Sequence, residues 1–334
     1  MDQTLRKLSL ILPGLLLWGA VQANSPQSEA EIEVDIEAIR EFIGEMVRRH
    51  EFDARDLESL LRQAKLRRDI IRAISRPAES KPWREYRPIF LTPRRIAGGR
   101  RFMQENADIL QRASASFGVP GEIITAIIGV ETFYGRHKGR YPVIDSLATL
   151  AFAYPPRARF FRSELEQYLL MTREQNMDPL KQTGSYAGAM GMPQFISSSF
   201  RAYAVDFDGD GKRDLWQNHH DVIGSVANYF KRHGWRSGEP IARRVKVKGE
   251  DYRALLGRQL KPRWTPAQLR AAGVEVPADV PAERLATFIE LEGENGPEYW
   301  LGWHNFYVIT RYNHSKLYAM AVFQLSQAIS APTP

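Results

Sequence analysis

The residue best placed to do chemistry is a carboxylate at the end of an apolar run. Residues 118–135 read Gly-Val-Pro-Gly-Glu-Ile-Ile-Thr-Ala-Ile-Ile-Gly-Val-Glu-Thr-Phe-Tyr-Gly. Pro120 suits a first helical turn and Gly135 suits a stop. Ile124, Ile127 and Ile128 stand seven, four and three residues before Glu131, so all four share one helix face. A stripe that belongs in a core therefore ends in an acid. Burial disfavours the ionised form, and the negative end of the helix dipole pushes the same way. Both raise the pKa, which is what a general acid needs near neutral pH. The structural alternative is a Glu that pairs with an Arg or caps a neighbour, and spacing alone does not separate the two. Gly129 leaves room for another backbone to approach. Phe133 and Tyr134 supply aromatic faces of the kind that sugar-binding clefts use.

Two further constellations carry polar chemistry. Ser185-Tyr-Ala-Gly-Ala-Met-Gly-Met-Pro-Gln194-Phe combines small residues with two side chains able to hydrogen-bond a polar ligand, although a tight structural loop reads the same way. Asp206-Phe-Asp208-Gly-Asp210-Gly211-Lys212 has the spacing of an EF-hand Ca²⁺ loop. Oxygens at positions one, three and five converge on one ion, Gly at six permits the turn, and position seven, Lys212, offers its backbone carbonyl. Position twelve is Gln217 where a bidentate Glu belongs, so the match is incomplete, and an Asx-rich turn without metal is the alternative.

Other chemistries are excluded. The sequence has no Cys, hence no disulfide, thiolate metal site, Cys nucleophile or lipid-bearing Cys. The seven His show no His-Glu-x-x-His spacing, and neither a phosphate-binding Gly loop nor a Gly-x-Ser-x-Gly elbow is present. Against 39 acidic residues stand 46 basic ones, for a net +7, but no basic stripe interleaved with aromatics suggests nucleic acid. A modest positive charge suits an anionic polymer. No organic cofactor is expected.

The elements that must position these residues can be read from 334 residues, enough for two or three domains. Arg6 and Lys7, the apolar run Leu8–Ala20 and the small residues of Val21-Gln22-Ala23 have the layout of a secretory signal peptide over 1–23, followed by a polar linker over 24–30. Its removal takes away two basic residues and one acidic residue and leaves +6. Residues 31–75 read as helices through Ile32, Ile36, Ile39, Phe42, Ile43, Met46 and Val47, with Asp53 as an N-cap. Pro77, Pro82, Pro88 and Pro93 mark 76–93 as a linker or extended wrap, and helix resumes over 96–115. Ile241–Val247, Leu285–Leu291 and Tyr299–Trp303 read as strands, with a short helix opened by Thr265-Pro266 between them. Helix returns from about Asn305 to the C-terminus. The fold class expected is mainly α (α+β), with a small inserted antiparallel β domain over 236–296.

Taken together, these motifs resemble the lytic transglycosylases of the membrane-bound type B family. The resemblance rests on Gly-Val-Glu131-Thr-Phe-Tyr-Gly, Ser185-Tyr-Ala-Gly-Ala-Met-Gly, Gln194-Phe, Ile223-Gly-Ser-Val-Ala-Asn-Tyr-Phe230 and Phe306-Tyr-Val-Ile-Thr-Arg-Tyr-Asn313 in order, over roughly 31–325. It implies a lysozyme-like helical core over 111–235 and 297–318. It also implies an N-terminal helical domain over 31–110, joined by the C-terminal helix 319–334. The implied reaction cleaves the β-1,4 bond between N-acetylmuramic acid and N-acetylglucosamine in peptidoglycan and leaves a 1,6-anhydromuramoyl end. Glu131 would be the single acid/base. Ser185 and Gln194 would contact the muramoyl residue, Tyr312 and Asn313 would line the cleft, and Tyr318, Tyr229 and Tyr86 would follow from their aligned surroundings. Each of these tyrosines is equally well read as half-buried packing.

In such a family the Asp-rich loop is closed by a later acid. Asp221 fits, giving a structural Ca²⁺ site of Asp206, Asp208, Asp210, Lys212 and Asp221. Two positions depart from the family pattern. Pro156 stands where a second basic residue is usual beside Arg157, which leaves Arg157 alone for stem-peptide contacts, and Ser197 replaces a usual Pro. The expected setting is the periplasm of a diderm bacterium, as a soluble, non-lipidated monomer whose partner is the glycan strand, alongside cell-wall synthesis or remodelling proteins. A hydrolytic muramidase and a non-catalytic peptidoglycan-binding protein are the competing readings.

Overall fold

The computed structural model describes residues 32–76 and 81–332. The expected signal segment and the 24–30 linker lie outside the described residues. Within these, the chain is mainly helical with two small antiparallel sheets, the class expected from the sequence. No single helix among the described residues is long and apolar enough to cross a membrane.

The chain forms two compact units. Of the described residues, one holds 32–76 and 135–225 and the other 81–134 and 226–332. This grouping differs from an N-terminal domain over 31–110, because α5 (Pro93–Glu105) and α6 (Ala107–Phe117) both pack on α7 (Gly121–Thr132). In the first unit, α1 (Ile36–His50) and α2 (Ala54–Gln63) begin at Asp35 and Asp53. Asp53 is the anticipated N-cap and accepts from the Arg55 and Asp56 amides at 2.8 and 3.0 Å. Phe42 and Met46 are buried, whereas Ile36 and Val47 stay exposed. Then come α3 (Arg68–Ser75), the two-residue strands β1 (Tyr141–Pro142) and β2 (Thr183–Gly184), α8 (Val143–Phe152), α9 (Ala158–Glu174) and α10 (Ser197–Tyr203). Every residue of α8 is buried, and it packs on α9, α1 and α3.

The second unit corrects one expectation. The proline-rich stretch contains a helix, α4 (Trp83–Phe90), with Pro88 inside it. Trp83, Tyr86 and Phe90 recur at helical spacing and are all buried. The hydrogen bond that Pro88 cannot donate would have gone to Arg84, which is on the exposed face where water can satisfy its carbonyl. Chain-breaking prolines masked a three-residue apolar face.

Three strands form close to the expected stretches, β3 (Ala242–Val245), β4 (Thr287–Gly293) and β5 (Gly296–Gly302), antiparallel in the order β3-β5-β4, with β5 starting three residues earlier than expected. A capping box at Thr265 and Gln268 opens α12 (Pro266–Ala271). Val245, Tyr252, Leu255, Leu269, Phe288 and Leu301 form the heart of a separate apolar cluster here. The helical return is broken: α13 (His304–Ile309) stops, and α14 (Lys316–Ser330) starts at a Ser315 N-cap. Between them the turn carries Tyr312 and Asn313. α14 packs on α7, α5 and α4, and α11 (His219–Arg232) runs through the point where the two units divide.

Phe288 stacks on Tyr299 with ring centres 5.8 Å apart inside the β cluster. Phe288→Ala should lower the stability of the protein to urea by about 3–5 kcal/mol. A loss below about 1 kcal/mol would show that this cluster does not hold the insert together.

Candidate active site

Glu131 sits in the last turn of α7. Pro120 stands just before this helix as its N-cap, and Ile123 through Val130 are all buried. The expected apolar stripe is thus a helix buried on every side. It stops earlier than Gly135. Phe133 is the C-cap in the left-handed region at φ 52°, followed by Tyr134 at 59° and Gly135 at 83°. Two successive non-glycine residues in this region cost of order 1–3 kcal/mol each, and only surrounding contacts can hold them there. The contacts are specific. The Tyr134 amide bonds Ile128 O at 3.2 Å, and the Tyr134 phenol donates to Arg95 O at 2.8 Å. What approaches Gly129 is a ring, not a backbone: a Cβ there would lie 2.7 Å from the Tyr134 ring.

Glu131 is half-buried, yet its carboxyl group is desolvated by the protein around it. That combination suits an acid open to an incoming group from one side only. Burial pushes its pKa from 4.5 up to about 7, and a hydrogen bond from Tyr318 pulls the other way. The Tyr318 phenol donates to Glu131 Oε1 at 2.5 Å. This bond fixes the carboxyl's direction.

Three tyrosines surround the acid, each delivered by a different element. Tyr318 comes from the first turn of α14, Tyr86 from α4 and Tyr312 from the α13–α14 turn. Burial raises the phenol pKa of all three, and the Glu131 charge raises it further. They remain protonated donors throughout the working pH range. The Tyr312 ring stacks on Tyr318 at 6.4 Å and meets Tyr229 of α11 at 4.8 Å. Tyr229 donates to Arg311 O at 2.6 Å and stacks on His233 at 4.0 Å. Asn313 follows Tyr312 and is half-buried.

The other sequence-derived residues lie in the first unit. Ser185 Oγ accepts from the Ala187 and Ala189 amides at 3.3 and 3.0 Å, so this hydroxyl already shapes its own turn. Gln194 occupies the left-handed region at φ 51°, and its Nε2 donates to Lys138 O and Gly191 O at 3.2 and 3.0 Å. That holds the amide in a fixed direction. Arg157 lies over the Phe160 and Phe161 rings at 4.8 and 5.1 Å.

In the Asp-rich loop, oxygens of Asp206, Asp208 and Asp210 lie within 4.8 Å of one another. Gly209 and Gly211 supply the left-handed turns at φ 82° and 88°. Three converging carboxylates on a tight loop fit a hard cation such as Ca²⁺. Asp221, the expected closing ligand, lies outside that group of three. Its Oδ1 and Oδ2 accept from the Phe207 and Asp214 amides, both at 2.8 Å, so it braces the two ends of the loop. The Lys212 amide donates to Asp210 at 2.8 Å.

Sequence reasoning missed Arg95. It follows Thr92-Pro93-Arg94 at a helix start, and nothing in the pattern separates it from Arg94. Only the fold puts it against α7: its Nε donates to Gly129 O at 3.1 Å.

Comparison with known proteins gives this geometry a family. A family model described as a transglycosylase SLT domain matches residues 36–327. Membrane-bound lytic murein transglycosylase B of Escherichia coli (strain K12) is 44% identical over 301 residues, which is 87% of this chain and 82% of the relative. The crystal structure of soluble lytic transglycosylase SltB1 from Pseudomonas aeruginosa matches with a TM-score of 0.84 at 50% identity, covering 87% of this chain and 98% of that one. The Escherichia coli lytic transglycosylase Slt35, solved in complex with calcium, matches with a TM-score of 0.80 at 44% identity, covering 88% and 92%. The mainly helical fold is here that of a lytic transglycosylase, an enzyme. The chain belongs to the transglycosylase SLT domain family.

An acid whose folded pKa lies above its unfolded value makes the protein less stable as pH rises through that interval. The window here runs from 4.5 to about 7. Glu131→Gln removes the titration, so its stability advantage over the parent should grow across that window and level off above it. Thermal melts at a series of pH values check this. A constant difference across the window would contradict a raised pKa.

Proposed function

We propose that the protein cleaves the β-1,4 bond between N-acetylmuramic acid and N-acetylglucosamine in peptidoglycan without water, leaving a 1,6-anhydromuramoyl end, with Glu131 as the only acid and base. The observation that carries this reading is the desolvated Glu131 carboxyl with the Tyr318 phenol on its Oε1. Glycosidases that use water pair two carboxyl groups across the bond. What acts on the Glu131 carboxyl is burial and the Tyr318 hydrogen bond, which supports a single acid that both gives and takes the proton.

The protonated Glu131 gives its proton to the glycosidic oxygen as the C1–O bond breaks. The muramoyl 2-acetamido carbonyl oxygen closes on C1 and carries the positive charge as an oxazolinium. Glu131, now a carboxylate, takes the proton from the sugar's O6. O6 bonds to C1, the oxazolinium opens, and Glu131 is protonated again. Each cycle therefore begins and ends on the acid form. Tyr318 holds the carboxyl in one direction for both transfers. Tyr86, Tyr229, Tyr312 and Asn313 are the proposed sugar contacts around it. Ser185 and Gln194 are proposed contacts to the muramoyl residue, and Arg157 to the stem peptide. The setting proposed is the periplasm, reached through the N-terminal signal segment, with glycan strands as partner.

Glu131→Gln keeps the shape but cannot cycle a proton. Release of anhydro-muropeptides from purified sacculi, followed by mass spectrometry, should fall by at least about 10²-fold. The parent's kcat/KM should decline as pH rises through about 7, with no acid limb from this group, because the base form arises only during turnover. Near-normal release by Glu131→Gln, or reducing ends in place of anhydro ends, would overturn the proposal.

A structural Ca²⁺ held by Asp206, Asp208, Asp210 and the Lys212 carbonyl, with Asp221 bracing the loop, is the second part of this reading. It is supported by the convergence of the three carboxylates. The ion would offset their mutual repulsion and take no part in the proton transfers. Treatment with EGTA should lower the melting temperature, and Ca²⁺ should restore it. A melting temperature indifferent to both would remove the ion from the account.

A further inference from the structure

Arg95 occupies the third position of α5, where a cation opposes the helix dipole. It is half-buried, and burial lowers its pKa. Among the described residues no carboxylate pairs with it. Neither the helix dipole nor ion pairing accounts for an arginine here. What it touches does. Its Nε donates to Gly129 O at 3.1 Å, and a terminal nitrogen donates to Ile89 O. These are carbonyls in the last turns of α7 and α4, the negative ends of two helices. The guanidinium also lies over the Phe133 and Phe90 rings at 4.8 and 5.2 Å. Its backbone carbonyl receives the Tyr134 phenol.

Glu131 lies midway between two of these contacts, two residues after Gly129 and two before Phe133. The same guanidinium therefore grips the chain on both sides of the acid. Through Ile89 it also grips α4, which carries Tyr86 toward the Glu131 charge. We propose that Arg95 is a positioning residue for Glu131, clamping the end of α7 to the end of α4 so that the carboxyl points in one direction. A lysine offers no planar fork to bridge two carbonyls while stacking on two rings, so the geometry demands arginine.

This inference rests on the reading of Glu131 as acid and base, so both are tested together on the full chain. Arg95→Met keeps length and apolar packing, Arg95→Lys keeps the charge, and Tyr134→Phe deletes one hydrogen bond to Arg95. Turnover is measured on purified sacculi per folded molecule, with melting temperature recorded for each variant. Arg95→Met should lower kcat by about 10- to 100-fold with KM within about twofold. Arg95→Lys should recover part of that loss, and Tyr134→Phe should lower kcat per folded molecule several-fold, with only a modest fall in melting temperature. Should Arg95→Met not fold, the other two variants decide. A purely structural arginine would leave kcat per folded molecule at the parent value in every folded variant, and that result overturns the proposal. Glu131→Gln separates the two ideas: an active Glu131→Gln defeats the reading of Glu131, whereas an inactive one beside fully active Arg95 variants defeats the clamp alone.

Discussion

A carboxyl group held away from water, with one phenol hydrogen-bonded to it, is the constraint on which the rest of this structure turns. Desolvation and the Tyr318 bond oppose each other in their effect on the acid. If burial acted alone, the proton would be held too tightly to be given up. If the hydrogen bond dominated, the group would be ionised before a glycan arrived. The balance near neutral pH lets one side chain give a proton and take one back.

Keeping that balance asks much of the surrounding fold. α7 is buried on all sides, so the acid can be reached only at the helix end. The chain leaves that end through two left-handed residues held by a tyrosine ring on Gly129 and a phenol on Arg95 O. α14 and α4 each bring a tyrosine to the acid, and both helices pack in the same unit as α7. Here strain is concentrated next to a functional group, and packing elsewhere compensates for it.

Much of this was legible in the sequence because it follows from period and chemistry. The apolar spacing put Glu131 at the end of a core-facing stripe, and alternation marked the first of the three strands. Asp53 and Thr265 marked helix starts through capping alone. What escaped depends on partners distant in the chain. Pro88 hid a helix whose stability comes from burying Trp83, Tyr86 and Phe90. Asp221 was picked out by its order in the sequence, whereas the two backbone amides that donate to its oxygens are supplied only by the folded loop. Arg95 is one basic residue among 46 until Gly129 and Ile89 are brought to it. Tyr318 was one aromatic among several, and its bond spans 187 residues of sequence.

The most direct test of the central claim is a titration of the Glu131 carboxyl by carbon NMR, using protein labelled at glutamate and assigned through the Glu131→Gln spectrum. The account requires a midpoint near 7 in the free protein. A midpoint at the ordinary value of 4.5 would mean that the acid is already ionised when substrate arrives, and the single-residue proton cycle could not begin.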